Sequence, residues 1–390
     1  MIYDFDKVID RKGTDAIKLE KMKDIWGRTD LIPLWVADMD FATPPFVLNA
    51  ITERCKNPIL GYTAKPDSYY MSIINWIDQR YGMKVTQEEI NYVPGIVAGL
   101  GMAINCFTKP GDKIIIMPPV YHPFKWLTVR NNREVVECPM LFQHQEYRMN
   151  FDELQKNCKD VKALILCNPH NPGGVVWKRT ELEKLADLCA DNNILVLSDE
   201  IHADLTLPPY KHIPFAAVSN RARTNSVTFM SPSKTFNMPG LSASHTIIFN
   251  SGLRERFEKY LEAGELNMGH VFAFNAVQAA YTYGKEWLEQ CLAYIQKNID
   301  YVDDFLKNNT PLIKIVRPQA SFLLWLDCRE LQLNQQDLNN FFVEEAHLGL
   351  NDGEMFGKEG IGFMRLNIAS PRCILEQAME QLKKAYHKNF

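Results

Sequence analysis

Four short apolar runs, Lys113 to Met117, Val161 to Cys167, Ile194 to Leu197 and Ser226 to Met230, punctuate the middle of the chain, with amphipathic stretches between them. Apolar runs of this length read as strands buried on both faces, and their alternation with helical spacing predicts an α/β fold around a parallel sheet. One intervening helix can be placed by its start. Thr180 with Glu183 forms a capping box, after which Leu182, Leu185, Ala186 and Cys189 recur at helical spacing. Further along, Lys285 to Asn309 keeps apolar residues at the same spacing and predicts a long helix.

Composition narrows the class of molecule. With 390 residues and 46% hydrophobic content the chain can bury a full core. A net charge of -4, mixed along the chain, presents neither a basic nucleic-acid patch nor an acidic tail, so small molecules are the expected partners. The nine cysteines are scattered and odd in number, which argues against a disulfide framework and fits a reducing cytoplasm. The first residues alternate in charge without the apolar core of a signal peptide, and no apolar run approaches the roughly 18 residues of a membrane span. The nine histidines show no paired ligand spacing, and no metal is expected.

Each apolar run opens into a polar, turn-rich segment. These are Pro118-Pro-Val-Tyr-His-Pro-Phe124, Asn168-Pro-His-Asn-Pro-Gly-Gly174, Ser198-Asp-Glu-Ile-His-Ala-Asp-Leu205 and Ser231-Pro-Ser-Lys-Thr-Phe-Asn-Met-Pro-Gly-Leu241. Ligands of open α/β sheets bind outside the carboxyl ends of the strands, so the four segments are expected to converge on one crevice. Asp199 and Glu200 follow directly on a hydrophobic strand, where a carboxylate is costly unless it meets a cation. Lys234 lies in an equivalent place, where an amine can lose its proton more easily and act on an aldehyde. Taken singly, each favours the plainer reading, a salt bridge for the acid and a solvated side chain for the lysine; four such segments together do not.

The segment Ser231 to Leu241 resembles the lysine motif of fold-type I pyridoxal 5'-phosphate enzymes, the aspartate aminotransferase superfamily. Asn168 to Gly174 and Ser198 to His202 follow the same pattern in order and spacing. With Trp35-Val-Ala-Asp-Met-Asp-Phe41 they resemble the MalY/PatB-type cystathionine β-lyase (C-S lyase) branch, over essentially the whole chain. The resemblance implies a large domain (48–286) with a mostly parallel seven-stranded sheet and a smaller α/β domain built from both chain ends (1–47 and 287–390), linked through the Lys285 to Asn309 helix. It implies that Lys234 carries the cofactor as a Schiff base and moves the substrate α-proton, Asp199 pairs with the pyridine nitrogen, Asn171 bonds the ring hydroxyl and Tyr121 stacks on the ring. The phosphate would meet the amides of Ile96 and Val97, in Gly95-Ile-Val-Ala-Gly99, and the hydroxyls of Ser231 and Ser233. Tyr62, in Gly61-Tyr-Thr63, would reach the phosphate of a neighbouring subunit, which implies a homodimer with shared active sites. Arg365, in Phe363-Met-Arg-Leu-Asn367, would clamp the α-carboxylate of an amino-acid substrate, assisted by Asn171 and the backbone near Ala37.

Two departures from the general aminotransferase pattern point to the reaction. Ser242 stands where many members carry a phosphate-neutralising arginine, and His202 where aspartate aminotransferase has a tyrosine. Both resemble the C-S lyase branch, so the expected activity is α,β-elimination of L-cystathionine or a related cysteine conjugate to a thiol, pyruvate and ammonia. A class I/II aminotransferase and a non-catalytic regulator on the same fold are the alternatives. The prolines at Pro118-Pro119 and Asn171-Pro172 are expected to take cis bonds.

Overall fold

The computed structural model describes residues 1–390. Its central sheet has seven strands: β1 (Ile90–Val93), β2 (Lys113–Ile116), β3 (Glu134–Glu137), β4 (Val161–Cys167), β5 (Leu195–Asp199), β6 (Ser226–Met230) and β7 (Ser244–Ile247). They lie in the order β1-β7-β6-β5-β4-β2-β3. All neighbours are parallel except that β7 runs antiparallel to both β1 and β6. The apolar runs thus become the middle of the sheet because they are buried on both faces: every residue of β5 and β6 is buried.

Helices cover the sheet, among them α1 (Ile96–Phe107) after β1 and α2 (Arg179–Asp191) between β4 and β5. Leu182, Leu185, Ala186 and Cys189 form the buried stripe of α2, as their spacing requires. Its start differs from the expected capping box at Thr180. The cap falls two residues earlier, at Lys178, whose backbone N–H donates to Glu181 Oε2 at 3.1 Å. Arg179 reaches across to Val218 O at 3.1 Å, which holds that first turn in the helix. Glu181 therefore supplies the return half of the cap.

A 25-residue helix, α3 (Lys285–Asn309), leads from this layer to a second, antiparallel sheet. That sheet comprises β8 (Lys314–Val316), β9 (Leu323–Asp327), β10 (Asn351–Asp352) and β11 (Phe363–Asn367), in the order β8-β9-β11-β10. The chain's beginning joins it: Ile32–Pro33 pairs in parallel with Leu348–Gly349, and Asn367 Nδ2 donates to Val36 O at 2.6 Å and to Asp38 O at 2.7 Å. Residues 36–38 are thereby fixed between the two sheets. The Pro118-Pro119 and Asn171-Pro172 bonds are cis, as are Asn168-Pro169 and Pro208-Pro209. No helix is long and apolar enough to cross a membrane.

Candidate active site

The carboxyl ends of the parallel strands converge on a cavity of about 410 Å³. Ala37, Ile96, Val97, Tyr121, Asn171, Asp199, His202, Ser233 and Lys234 all line it. Five separate strand ends and the N-terminal segment at Ala37 supply these groups, which explains how residues up to 197 positions apart, Ala37 and Lys234, face one space.

Lys234 sits on a one-turn helix, Pro232–Thr235, directly after β6. Its amine donates to Ala37 O and makes no ion pair within 4 Å. Burial pulls its pKa down to about 8; the charges of Asp38 and Asp199 oppose that fall and Arg365 adds to it. Asp199, the last residue of β5, is buried, and burial pushes its carboxyl up to about 7. Its one side-chain hydrogen bond comes from the Ile201 N–H at 3.1 Å, so the second oxygen is free to accept from a ligand. His202 is buried and held neutral, its pKa lowered to about 3 by burial and by the nearby positive charges of Lys234 and Arg365.

The opposite end of the cavity is built for an anion. Gly95, at φ 110°, ψ 149°, takes a backbone conformation open to glycine and turns β1 straight into α1. The first intrahelical bond is Gly99 N–H to Gly95 O at 2.9 Å, so the amides of Ile96, Val97 and Ala98 have no helical partner. Ser233 faces the same space. Ser231 lies behind it, donating to Ala243 O at 2.8 Å and accepting from the Ser233 N–H at 3.1 Å.

Arg365, on β11, does not line the cavity but reaches its wall. It donates to Asn171 Oδ1 at 3.1 Å, Trp35 O at 3.2 Å and Asn351 Oδ1 at 2.6 Å, while its Nε has no partner. Complete burial pulls its pKa down to about 10. Tyr62 stands apart, fully exposed. Sequence reasoning missed Asn351, which has no local signal, and Asp38, which lies within the Trp35 to Phe41 motif and could have been found there. Asp38 lines a second cavity of about 680 Å³ that adjoins the first at Lys234 and Pro239.

A desolvated lysine amine, a strand-end carboxylate with a free oxygen and a helix terminus of unpaired amides are the donors that the aldehyde, ring nitrogen and phosphate of pyridoxal phosphate require. Together with the sheet order they define the aspartate-aminotransferase-like, fold-type I architecture. The chain belongs to the family described as aminotransferase class I and II, which matches residues 29–382. It is 39% identical over 383 residues to cystathionine beta-lyase PatB of Bacillus subtilis, covering 98% of this chain and 99% of that protein. Among solved structures it is similar to cystalysin from Treponema denticola, which contains a pyridoxal 5'-phosphate cofactor (35% identity, TM-score 0.95, all of both chains covered). It is likewise similar to the PLP-bound C-S lyase of Staphylococcus hominis (35% identity, TM-score 0.92, covering 99% of this chain and 98% of that one).

Proposed function

We propose that the protein is a pyridoxal-phosphate-dependent C-S lyase that takes an L-cysteine conjugate and water to a thiol, pyruvate and ammonia. The observation that carries the reading is the placement of Lys234 where two cavities meet, one furnished for the cofactor and the other with room for a departing group. The likeness to cystathionine beta-lyase PatB and to the C-S lyase of Staphylococcus hominis supports a lyase over a transaminase.

When bound, the cofactor supplies an aldehyde that links amines and a ring that takes up electrons from the substrate α-carbon. The chain's residues then have distinct tasks. Lys234 Nζ holds the cofactor and, once released, takes the α-proton, a role its lowered pKa suits. The free oxygen of Asp199 keeps a proton on the ring nitrogen. Asn171 and neutral His202 bound the hydroxyl edge of the ring, and Tyr121 covers its face. The amides of Ile96 and Val97, with Ser233 and Ser231 behind it, hold the phosphate. Ala37 O positions the lysine amine in the resting protein.

Arg365 is the proposed clamp for the substrate α-carboxylate, with Asn171 beside it; an unpartnered Nε in full burial supports the assignment. Arg365→Lys should lower kcat/KM about 10- to 100-fold, mainly through KM, because an ammonium loses one of two parallel hydrogen bonds. Steady-state kinetics on one conjugate would check this.

A homodimer with Tyr62 serving the partner's phosphate is also proposed. Tyr62 is fully exposed beside Ile59 and Leu60, themselves 73% and 60% exposed, an apolar stretch that a second subunit would cover. Residues 48–286 are taken as the cofactor-binding domain, a span that contains the whole seven-stranded sheet, with 1–47 and 287–390 as the smaller domain.

The deciding experiment is to load the purified protein with pyridoxal phosphate and add L-cystathionine. Pyruvate should appear without any added keto acid. Turnover that depends on a keto acid, with no pyruvate from cystathionine alone, would instead identify an aminotransferase.

A further inference from the structure

The second cavity is far larger than a departing hydrogen sulfide needs, and it is not purely apolar. Leu48 and Ile51 form part of its wall, while Arg11 and Asp38 face it from the N-terminal segment and the fixed 36–38 stretch. Apart from Lys234, Arg11 is the only cation lining it. The guanidinium is one quarter exposed and commits two of its five N–H groups: Nη2 donates to Asp38 Oδ2 at 2.6 Å and Nη1 to Asp40 Oδ1 at 3.2 Å.

Of these two partners, Asp40 does not depend on Arg11. Its oxygens each accept from Lys18 Nζ at 2.9 Å, and Oδ2 also accepts from Ser370 Oγ at 2.6 Å. Arg11 Nη1 can therefore exchange Asp40 for a ligand carboxylate without orphaning the aspartate. Asp38 Oδ1 accepts no hydrogen bond and has Lys18 Nζ 3.6 Å away as its ion-pair partner. The four charges of Arg11, Lys18, Asp38 and Asp40 sum to zero, so this wall offers a cation beside an anion, the complement of a zwitterion.

We infer that Arg11 recognises the distal carboxylate of the substrate, making the enzyme selective for cysteine conjugates whose leaving thiol ends in an amino-acid head group. This rests on the lyase reading above and names its substrate class. A guanidinium suits the task because its fork accepts a carboxylate while keeping Asp38 as its second partner. If Arg11 only pins the N-terminal segment to Asp38 and Asp40, its loss weakens every conjugate alike.

The test compares L-cystathionine with S-ethyl-L-cysteine, which lacks the distal head group. In Arg11→Gln the ratio of kcat/KM for the two should fall by about tenfold or more, the effect of losing one charge-assisted hydrogen bond, and Arg11→Lys should restore part of it. Binding without turnover gives an independent reading: in the Lys234→Ala protein with pyridoxal phosphate present, calorimetry should show cystathionine preferred, and the preference should shrink when Arg11→Gln is added. Pyruvate production with both ratios unchanged would overturn the inference alone. Wild type that makes no pyruvate from either conjugate would overturn the lyase reading and, with it, this substrate class.

Discussion

Lys234→Ala is expected to abolish covalent attachment of the cofactor and to lower pyruvate formation by at least about 10³-fold, the scale of losing a residue that serves as both nucleophile and base. The visible absorbance of protein-linked cofactor should vanish, and borohydride should no longer fix it to the chain. Lys234→Arg should fail equally, since a guanidinium keeps the charge but offers no neutral amine. The reason lies in the setting of the amine. It is shielded from water, has no ion-pair partner and donates only to Ala37 O, so its pKa falls to about 8 and roughly a tenth of it is neutral at pH 7.

The same setting predicts that the alanine variant folds. Native Lys234 holds its proton less tightly than the unfolded chain does, so between about 8 and 10.5 the unfolded state binds more protons and wild-type stability rises with pH. Apo wild type should therefore lose stability relative to Lys234→Ala as pH falls from 10.5 towards 8, a trend that urea midpoints would read. A variant that retained the absorbance band would show that another amine holds the cofactor.

Which parts of this were legible in the sequence follows from the range of the forces involved. Val161–Cys167 and Ser226–Met230 are strands from end to end as expected, and Lys285–Asn309 is one helix, because burial on two faces or along one stripe imprints directly on local pattern. Lys234 and Asp199 were equally accessible: Asp199 ends one buried strand and Lys234 sits in the turn after another, so position alone brings them to the ligand end of the sheet. The antiparallel β7 was not, since four residues of Ser-His-Thr-Ile carry no direction. The start of α2 was misplaced because Thr180 and Glu183 satisfy the capping-box pattern, whereas the helix is capped two residues earlier with only Glu181 closing back on the Lys178 N–H, and the contact deciding between them, Arg179 to Val218, spans 39 residues. Partners joined by closure of the fold were invisible for the same reason. Asn351 meets Arg365 across an edge strand, and Arg11 meets Asp38 only after the chain's beginning folds against the second sheet.

Asp199→Ala is expected to lower kcat/KM by about 10² to 10³-fold, the range for removing one preorganised charge from a buried site, while leaving Lys234 able to hold the cofactor. The two variants thus separate: one loses the protein-linked band, the other keeps it and loses rate. Asp199 is costly to ionise where it stands, with burial raising its pKa to about 7 and only the Ile201 N–H and the charge of Lys234 to offset this. A protonated ring nitrogen would supply the missing partner, so wild-type affinity for the cofactor should weaken as pH falls below about 7 and the carboxyl takes up its proton. In the alanine variant this limb should disappear. A second effect has a definite sign: the charge of Asp199 raises the pKa of Lys234, so its removal should let the amine lose its proton more readily and move cofactor capture to lower pH. Stopped-flow capture of pyridoxal phosphate by the two apo proteins across pH 5 to 9 reads both shifts, and an unchanged profile in Asp199→Ala would remove this carboxylate from the cofactor site.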